Sequence, residues 1–241
     1  MMDLHTHLDL YPNALALADR VNSGNGFTLS VTTSPRAWAA TSRVFAAKSN
    51  IRVGLGLHPE IVAQKYNELD MLLDYVKATR FIGEVGLDGG PQSRPSYKLQ
   101  MRVFDELLKE CARNGGRIIS VHSRRAEADV LSLLQEHPSA GRVVLHWFSG
   151  GRADLERAVG LGCYFSVNRL MVTSQRGRNL IELIPNDKLL PESDGPFACW
   201  QGSPLMPFPT QDVASEISTI WNVPVDEVKI QFKDTLSNLL A

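Results

Sequence analysis

Short apolar runs alternate with amphipathic stretches along most of the chain, and that alternation restricts the fold more than any other feature of the sequence. The runs Met2 to Thr6, Thr28 to Thr33, Ile51 to Leu57, Phe81 to Leu87, Arg117 to His122, Arg142 to Trp147, Cys163 to Val167 and Leu189 to Ser193 predict eight strands. Between them, Pro35 to Lys48, Ile61 to Ala78, Pro95 to Arg113, Ala126 to Glu136 and Ala153 to Leu161 predict helices. Their apolar residues recur three and four apart, as Leu99, Val103, Leu107 and Leu108 illustrate. Strand followed by helix, repeated, implies parallel strands with right-handed crossovers, and eight such units can close on themselves. The expected class is therefore α/β, a (β/α)8 TIM barrel, with one domain over residues 1–241, near the length of roughly 250 residues usual for that fold. Gly89 to Pro95 and Ala198 to Pro209 read as long loops after the fourth and eighth strands, and Val225 to Leu240 as a closing helix.

Polar residues of ligand type stand where these runs end. His5 and His7 occupy alternate positions of the first strand, so they project from one face and can share an ion. Glu84, His122, His146 and Asp194 close later runs, and in a barrel the carboxyl ends of the strands build the active site. Four imidazoles and two carboxylates are too many for one tetrahedral zinc with an open position. They suit two divalent ions about 3.5–4 Å apart, with Glu84 as the natural bridge. Some two-metal barrels bridge through a carboxylated lysine, but no lysine lies between Arg80 and Tyr97. A single His-x-His is a common accident, and an isolated buried histidine is more often a hydrogen-bonded core residue. Five strand-end histidines out of six weigh against accident; His137, before Pro138, is the exception. His58 also ends a strand, and reads better as an orienting donor or substrate contact than as a ligand. Asp88 and Glu192 suit orientation or loop capping, and Asp9 is ambiguous.

The formal net charge of −1 supplies no broad basic field, so contact with nucleic acid must come from a local patch or from bound cations. Three scattered cysteines, with no Cys-x-x-Cys, suggest neither a disulfide framework nor a thiolate zinc site and fit a reducing cytosol. Neither a secretory signal nor a membrane span is expected. No Gly-x-Gly-x-x-Gly or P-loop pattern supports a nucleotide cofactor.

Met2-Asp3-Leu4-His5-Thr6-His7-Leu8-Asp9, Gly56-Leu57-His58-Pro59, Gly83-Glu84-Val85-Gly86-Leu87-Asp88, Val121-His122-Ser123-Arg124, His146-Trp147-Phe148-Ser149-Gly150 and Ser193-Asp194-Gly195-Pro196 together resemble the TatD family of metal-dependent deoxyribonucleases. The resemblance implies an amidohydrolase-like barrel with two divalent ions, acting as a 3′-5′ exonuclease or repair-type nuclease on DNA, single-stranded by preference. Some relatives act on aminoacyl-tRNA instead. It places the metal ligands on His5, His7, Glu84, His122, His146 and Asp194. The chain is also similar to the TatD-type component of the bacterial Qat anti-phage defence system, which would imply partner proteins encoded beside it, including an ATPase and a QueC-like enzyme. Departures from the family's usual pattern bear on substrate contacts and specificity more than on the chemistry. Arg125 stands where an acidic residue is usual, Gly89 where an aromatic is usual, and Phe197-Ala198-Cys199-Trp200-Gln201-Gly202 replaces an Arg-rich stretch.

The expected chemistry is hydrolysis of a phosphodiester, with Asp194 as both ligand and general base and Glu84 at the ions. Imidazole and carboxylate donors suit zinc, manganese or iron, and magnesium is less natural beside four histidines. Arg124, Arg125 and Arg169 could hold adjacent phosphates or be solvated rim charges. Trp147, Phe197 and Trp200 flank ligand positions and could stack on nucleobases, although for Trp147 core packing is the stronger expectation. Two other functions stay open: hydrolysis of a small-molecule amide, lactone or nucleobase, and a binding subunit whose metal site is dormant.

Overall fold

In the computed structural model, which describes residues 1–241, the strands in chain order are β1 (Met2–Thr6), β2 (Phe27–Val31), β3 (Ile51–Gly54), β4 (Phe81–Gly86), β5 (Arg117–His122), β6 (Gly141–His146), β7 (Tyr164–Val167), β8 (Leu189–Pro191), β9 (Cys199–Trp200) and β10 (Ser203–Pro204). The helices are α1 (Ala14–Gly24), α2 (Pro35–Val44), α3 (Val62–Lys65), α4 (Leu69–Tyr75), α5 (Tyr97–Arg113), α6 (Glu127–Glu136), α7 (Arg152–Gly160), α8 (Arg169–Thr173), α9 (Gln175–Ile181), α10 (Thr210–Trp221) and α11 (Val225–Leu240). They fall into two compact units, one of residues 1–30, 45–52 and 164–241, the other of residues 31–44 and 53–163.

In the first unit β1 pairs in parallel with β2, Met2 opposite Phe27 and Asp3 opposite Thr28, and the register shifts before Thr6 meets Ser30. β7 pairs in parallel with β8 from Phe165 and Leu189 to Val167 and Pro191. Every residue of β1, β7 and β8 is buried, as expected of parallel strands covered on both faces. The start of α10 is tied to β1 through Thr210, whose hydroxyl accepts from the Met2 N–H at 2.7 Å and donates to the Met2 carbonyl at 2.8 Å.

The second unit holds β4, β5 and β6 in parallel register, Phe81 opposite Ile118 and Ile118 opposite Arg142. The β4–β5 register shifts between Ile82 and Val85, which puts Gly86 opposite His122. α5 buries Val103, Phe104, Leu107, Leu108 and Cys111, an apolar stripe of helical period. Leu99, expected in that stripe, is only partly buried, and the neighbouring Gln100 is fully buried instead. Its amide oxygen accepts from the Asp88 N–H at 2.8 Å and its amide nitrogen donates to the Ser93 carbonyl at 3.0 Å, so the residue fastens the loop after β4.

All eight expected strands are present. β3 stops at Gly54, and Leu55 keeps only an isolated parallel bridge to Ile82. The expected helix over Ile61 to Ala78 is divided into α3 and α4, with tighter 3-10 turns at Tyr66–Glu68 and Val76–Ala78. Glu68 points inward there: it accepts from the Arg36 N–H at 3.1 Å, capping α2, and lies 3.3 Å from the Lys65 ammonium. The expected loop over Ala198 to Pro209 contains the antiparallel β9–β10 hairpin. No helix is long and apolar enough to cross a membrane.

Candidate metal centre

In the first unit His5 and His7 come from β1 and its end, and Asp194 follows β8. The Asp194 N–H donates to the His5 carbonyl at 2.8 Å, its own carbonyl accepts from Ala198 at 2.9 Å, and the His7 N–H donates to the Gly195 carbonyl at 2.8 Å. These bonds hold Asp194 in the left-handed region, φ 50°, which costs a non-glycine residue about 1 kcal/mol or more and clusters at functional sites. Its Oδ1 lies 3.7 Å from Nε2 of His5 and 3.8 Å from Nε2 of His7. Donors about 2.0–2.2 Å from one tetrahedral ion stand roughly 3.4 Å apart, so this spacing suits a cation between them better than direct hydrogen bonds.

Two further buried carboxylates support this end of the unit. Asp3 accepts from the Ser193 hydroxyl at 2.6 Å and from the N–H groups of Ser193 and His5 at 3.0 and 3.1 Å. Burial raises its pKa well above the usual carboxylate range, and those hydrogen bonds only partly offset the effect. Glu192 accepts from the Ser166 hydroxyl and, at 3.1 Å, from the Asn168 amide.

The second unit gathers its donors around one oxygen. Oε1 of Glu84 lies 2.8 Å from Nδ1 of His122, 2.9 Å from Nε2 of His146 and 3.1 Å from Nε2 of His58, and Glu84 is only 2% exposed. Three imidazoles converging on a buried carboxylate are the donor chemistry of a divalent cation site. His58 has a different status from the other two. Its Nδ1 accepts from the Glu60 N–H at 3.2 Å, which in the neutral ring leaves the proton on Nε2, the nitrogen that lies 3.1 Å from Oε1 of Glu84.

Nε2 of His122 lies 2.8 Å from Oδ2 of Asp88, whose oxygens also receive Nε of Arg124 at 2.8 Å and the Gly90 N–H at 2.8 Å. Burial opposes a charged His122, yet Asp88 and Glu84 outweigh it and its pKa is raised. Burial likewise works against the Asp88 carboxylate, but His122, Arg124 and Gly90 together bring it far below the usual range. An imidazole with a carboxylate behind it is fixed in ring orientation and made more basic toward a metal. Asp88→Asn keeps the shape and loses the charge; metal affinity, measured by titration of chelated protein, is expected to fall about 10- to 100-fold.

The remaining sequence-selected residues divide by what they touch. Arg124 is committed to carboxylates, with a second contact to Glu60 at 2.8 Å. Arg125, also in the left-handed region at φ 55°, is exposed and its guanidinium is free of ion pairs. Trp200, on β9, lies beneath the Arg169 guanidinium, 4.7 Å from the ring centre, and Arg169 pairs with Asp212 at 2.7 Å. Gln100, Asp3 and Tyr11 carry supporting roles that no spacing rule singled out. Tyr11 donates to the Leu205 carbonyl and anchors the base of the β9–β10 hairpin.

The model of a family described as TatD related DNase matches residues 2–241. The chain is 28% identical over 244 residues to the uncharacterized metal-dependent hydrolase YjjV of Escherichia coli K12, covering 94% of this chain and 92% of that one. The crystal structure of YjjV, a TatD homolog, aligns with a TM-score of 0.85 over 99% of this chain and 97% of that one. The 3′-5′ ssDNA/RNA exonuclease TatD of Citrobacter koseri is 30% identical over 158 residues, 59% of this chain and 56% of its own length. An amidohydrolase from Saccharomyces cerevisiae, 16% identical with a TM-score of 0.75 over 99% of each chain, shares the fold alone. The expected class is thereby borne out as an α/β, TIM-barrel-like fold. The chain belongs to the TatD family of metal-dependent hydrolases.

Proposed function

We propose that this hydrolase cleaves phosphodiester bonds of single-stranded DNA from the 3′ end, with divalent ions held by His5, His7 and Asp194 in one unit and by Glu84, His122 and His146 in the other. The observation that carries it is the convergence of His122 and His146 on Glu84, with the wider His5–His7–Asp194 spacing in the other unit. The name of the Citrobacter koseri relative supports the choice of substrate and polarity. When bound, the ions supply Lewis-acid activation of water and charge neutralisation at phosphorus.

The side chains have distinct duties. Asp194 takes one proton from the attacking water, the water oxygen bonds to phosphorus, the bond from phosphorus to the leaving sugar oxygen breaks, and that oxygen takes up a proton from solvent to leave as the hydroxyl. His58, its Nε2 3.1 Å from Oε1, helps to orient Glu84. Asp88, braced by Arg124, fixes His122. Arg125 holds a neighbouring phosphate, and Trp200, steadied by Arg169, lies against the strand. Manganese or zinc fits the imidazole donors better than magnesium. The finer proposal that the protein works beside partners of an anti-phage assembly rests on the sequence resemblance.

Asp194→Asn tests the assignment. Removal of a general base costs about 10²- to 10⁴-fold, so shortening of 5′-labelled single-stranded DNA by the metal-loaded protein is expected to fall by at least that much. Hydrolysis of a lactone or nucleoside panel without any DNA cleavage would select the small-molecule alternative.

A further inference from the structure

Phe197 is the one exposed aromatic side chain of this protein: 61% of its surface is accessible, whereas every other phenylalanine, tyrosine and tryptophan is at least partly buried. Its position is fixed from three directions. It lies three residues after Asp194, its ring meets the His7 imidazole edge to face with centres 4.9 Å apart, and the next residue, Ala198, is buried and bonded to Asp194 and Leu205 through its backbone. The base of the hairpin is fastened in turn, by Tyr11 at Leu205 and by the Asn25 amide donating to the Pro207 carbonyl at 2.9 Å. A large apolar ring left in water costs free energy, and here it rests edge to face against the imidazole of one candidate metal donor, His7. Trp200 does not have the same freedom, because the Arg169 guanidinium already covers one of its faces.

We infer that Phe197 is a stacking platform for an unpaired nucleobase and determines specificity, so that this enzyme distinguishes a strand bearing bases from a bare sugar–phosphate chain. The inference rests on the nucleic-acid substrate proposed above and adds what the site reads. Every base offers a π-face, so the platform selects single strands without selecting sequence.

The test compares two 5′-labelled oligonucleotides that are identical except that one carries abasic residues at its three 3′-terminal positions. Cleavage (kcat/KM) and binding by anisotropy are measured for wild type, Phe197→Ala and Phe197→Trp. One stacked base contributes about a 5- to 150-fold preference, so wild type is expected to favour the base-bearing strand by that factor in both readouts. Phe197→Ala is expected to bring the ratio close to one, and Phe197→Trp to retain it. An unaltered ratio in Phe197→Ala, with DNA still cleaved, overturns the inference and leaves the nuclease proposal standing. Base-dependent binding that Phe197→Ala abolishes, with no cleavage by any variant, supports the platform and overturns the nuclease proposal. Neither cleavage nor binding of either strand overturns both.

Discussion

Glu84→Gln is expected to lower DNA cleavage by about three orders of magnitude or more and to strip bound metal, without unfolding the protein. Glutamine has the size of glutamate, but it carries no charge and replaces one acceptor oxygen with an NH2 donor. Three imidazole nitrogens face Oε1 of Glu84 at 2.8, 2.9 and 3.1 Å, so one substitution removes the shared centre of the second unit's donors. A catalytic divalent ion contributes several kcal/mol to transition-state charge stabilisation, and each 1.4 kcal/mol or so is tenfold in rate. Stability should fall together with activity. In metal-free protein the carboxylate lies against three imidazoles and helps hold His122 protonated, and removing one partner of such a buried pair is destabilising, by about 3–5 kcal/mol. The expected pattern is therefore lost activity, reduced metal by elemental analysis, and an unfolding midpoint in chelator below that of wild type. Full activity in the variant would remove Glu84 from the chemistry.

Gly56→Ala is expected to destabilise the fold by at least about 3 kcal/mol, the upper part of the range for overpacking, and so to lower Tm by about 6–12 °C. The reason is backbone proximity, independent of any chemistry. A Cβ at residue 56 would overlap the Thr32 carbonyl oxygen and stand 2.6 Å from N and 2.8 Å from O of Glu84. These are main-chain atoms that cannot rotate away, and both the Thr32 N–H to Gly83 carbonyl bond and the Glu84 N–H to Thr32 carbonyl bond, each 3.0 Å, run through the same place. Displacing them moves Glu84 itself, so metal content should fall together with Tm. Gly160, where a Cβ meets nothing within 4 Å, gives the control: alanine there, within α7, should be tolerated. A Gly56→Ala protein with unchanged Tm and full metal content would contradict the packing.

Much of this architecture was legible because period and position coincide. β5 and α11 have the limits that the apolar pattern gives them, since His122 ends a buried run and Pro224 sets where the last helix can begin. The candidate donors stood out by recurrence, because five of the six histidines end apolar runs where one alone would say little. The misses were of another kind. The expected helix over Ile61 to Ala78 is broken where Glu68 turns inward to cap α2, a tertiary contact that no local period records. Gln100 displaces Leu99 from the buried stripe because the Asp88 backbone needs an acceptor, and that need arises only after the loop following β4 has folded. The two nitrogens of His58 were separable only by geometry: a backbone N–H on one of them decides which carries the proton. Arg124 and Arg125 look equivalent in the sequence, yet a buried aspartate claims the first and leaves the second exposed.

The most direct measurement is a metal titration of the chelated protein, followed by shortening of 5′-labelled single-stranded DNA. The expected result is no cleavage without metal and recovery with manganese or zinc that saturates at two equivalents, with Asp194→Asn inactive throughout. Cleavage that persists in chelator, or a fully metal-loaded protein that leaves the strand intact, would contradict a phosphodiesterase built on these histidines and carboxylates.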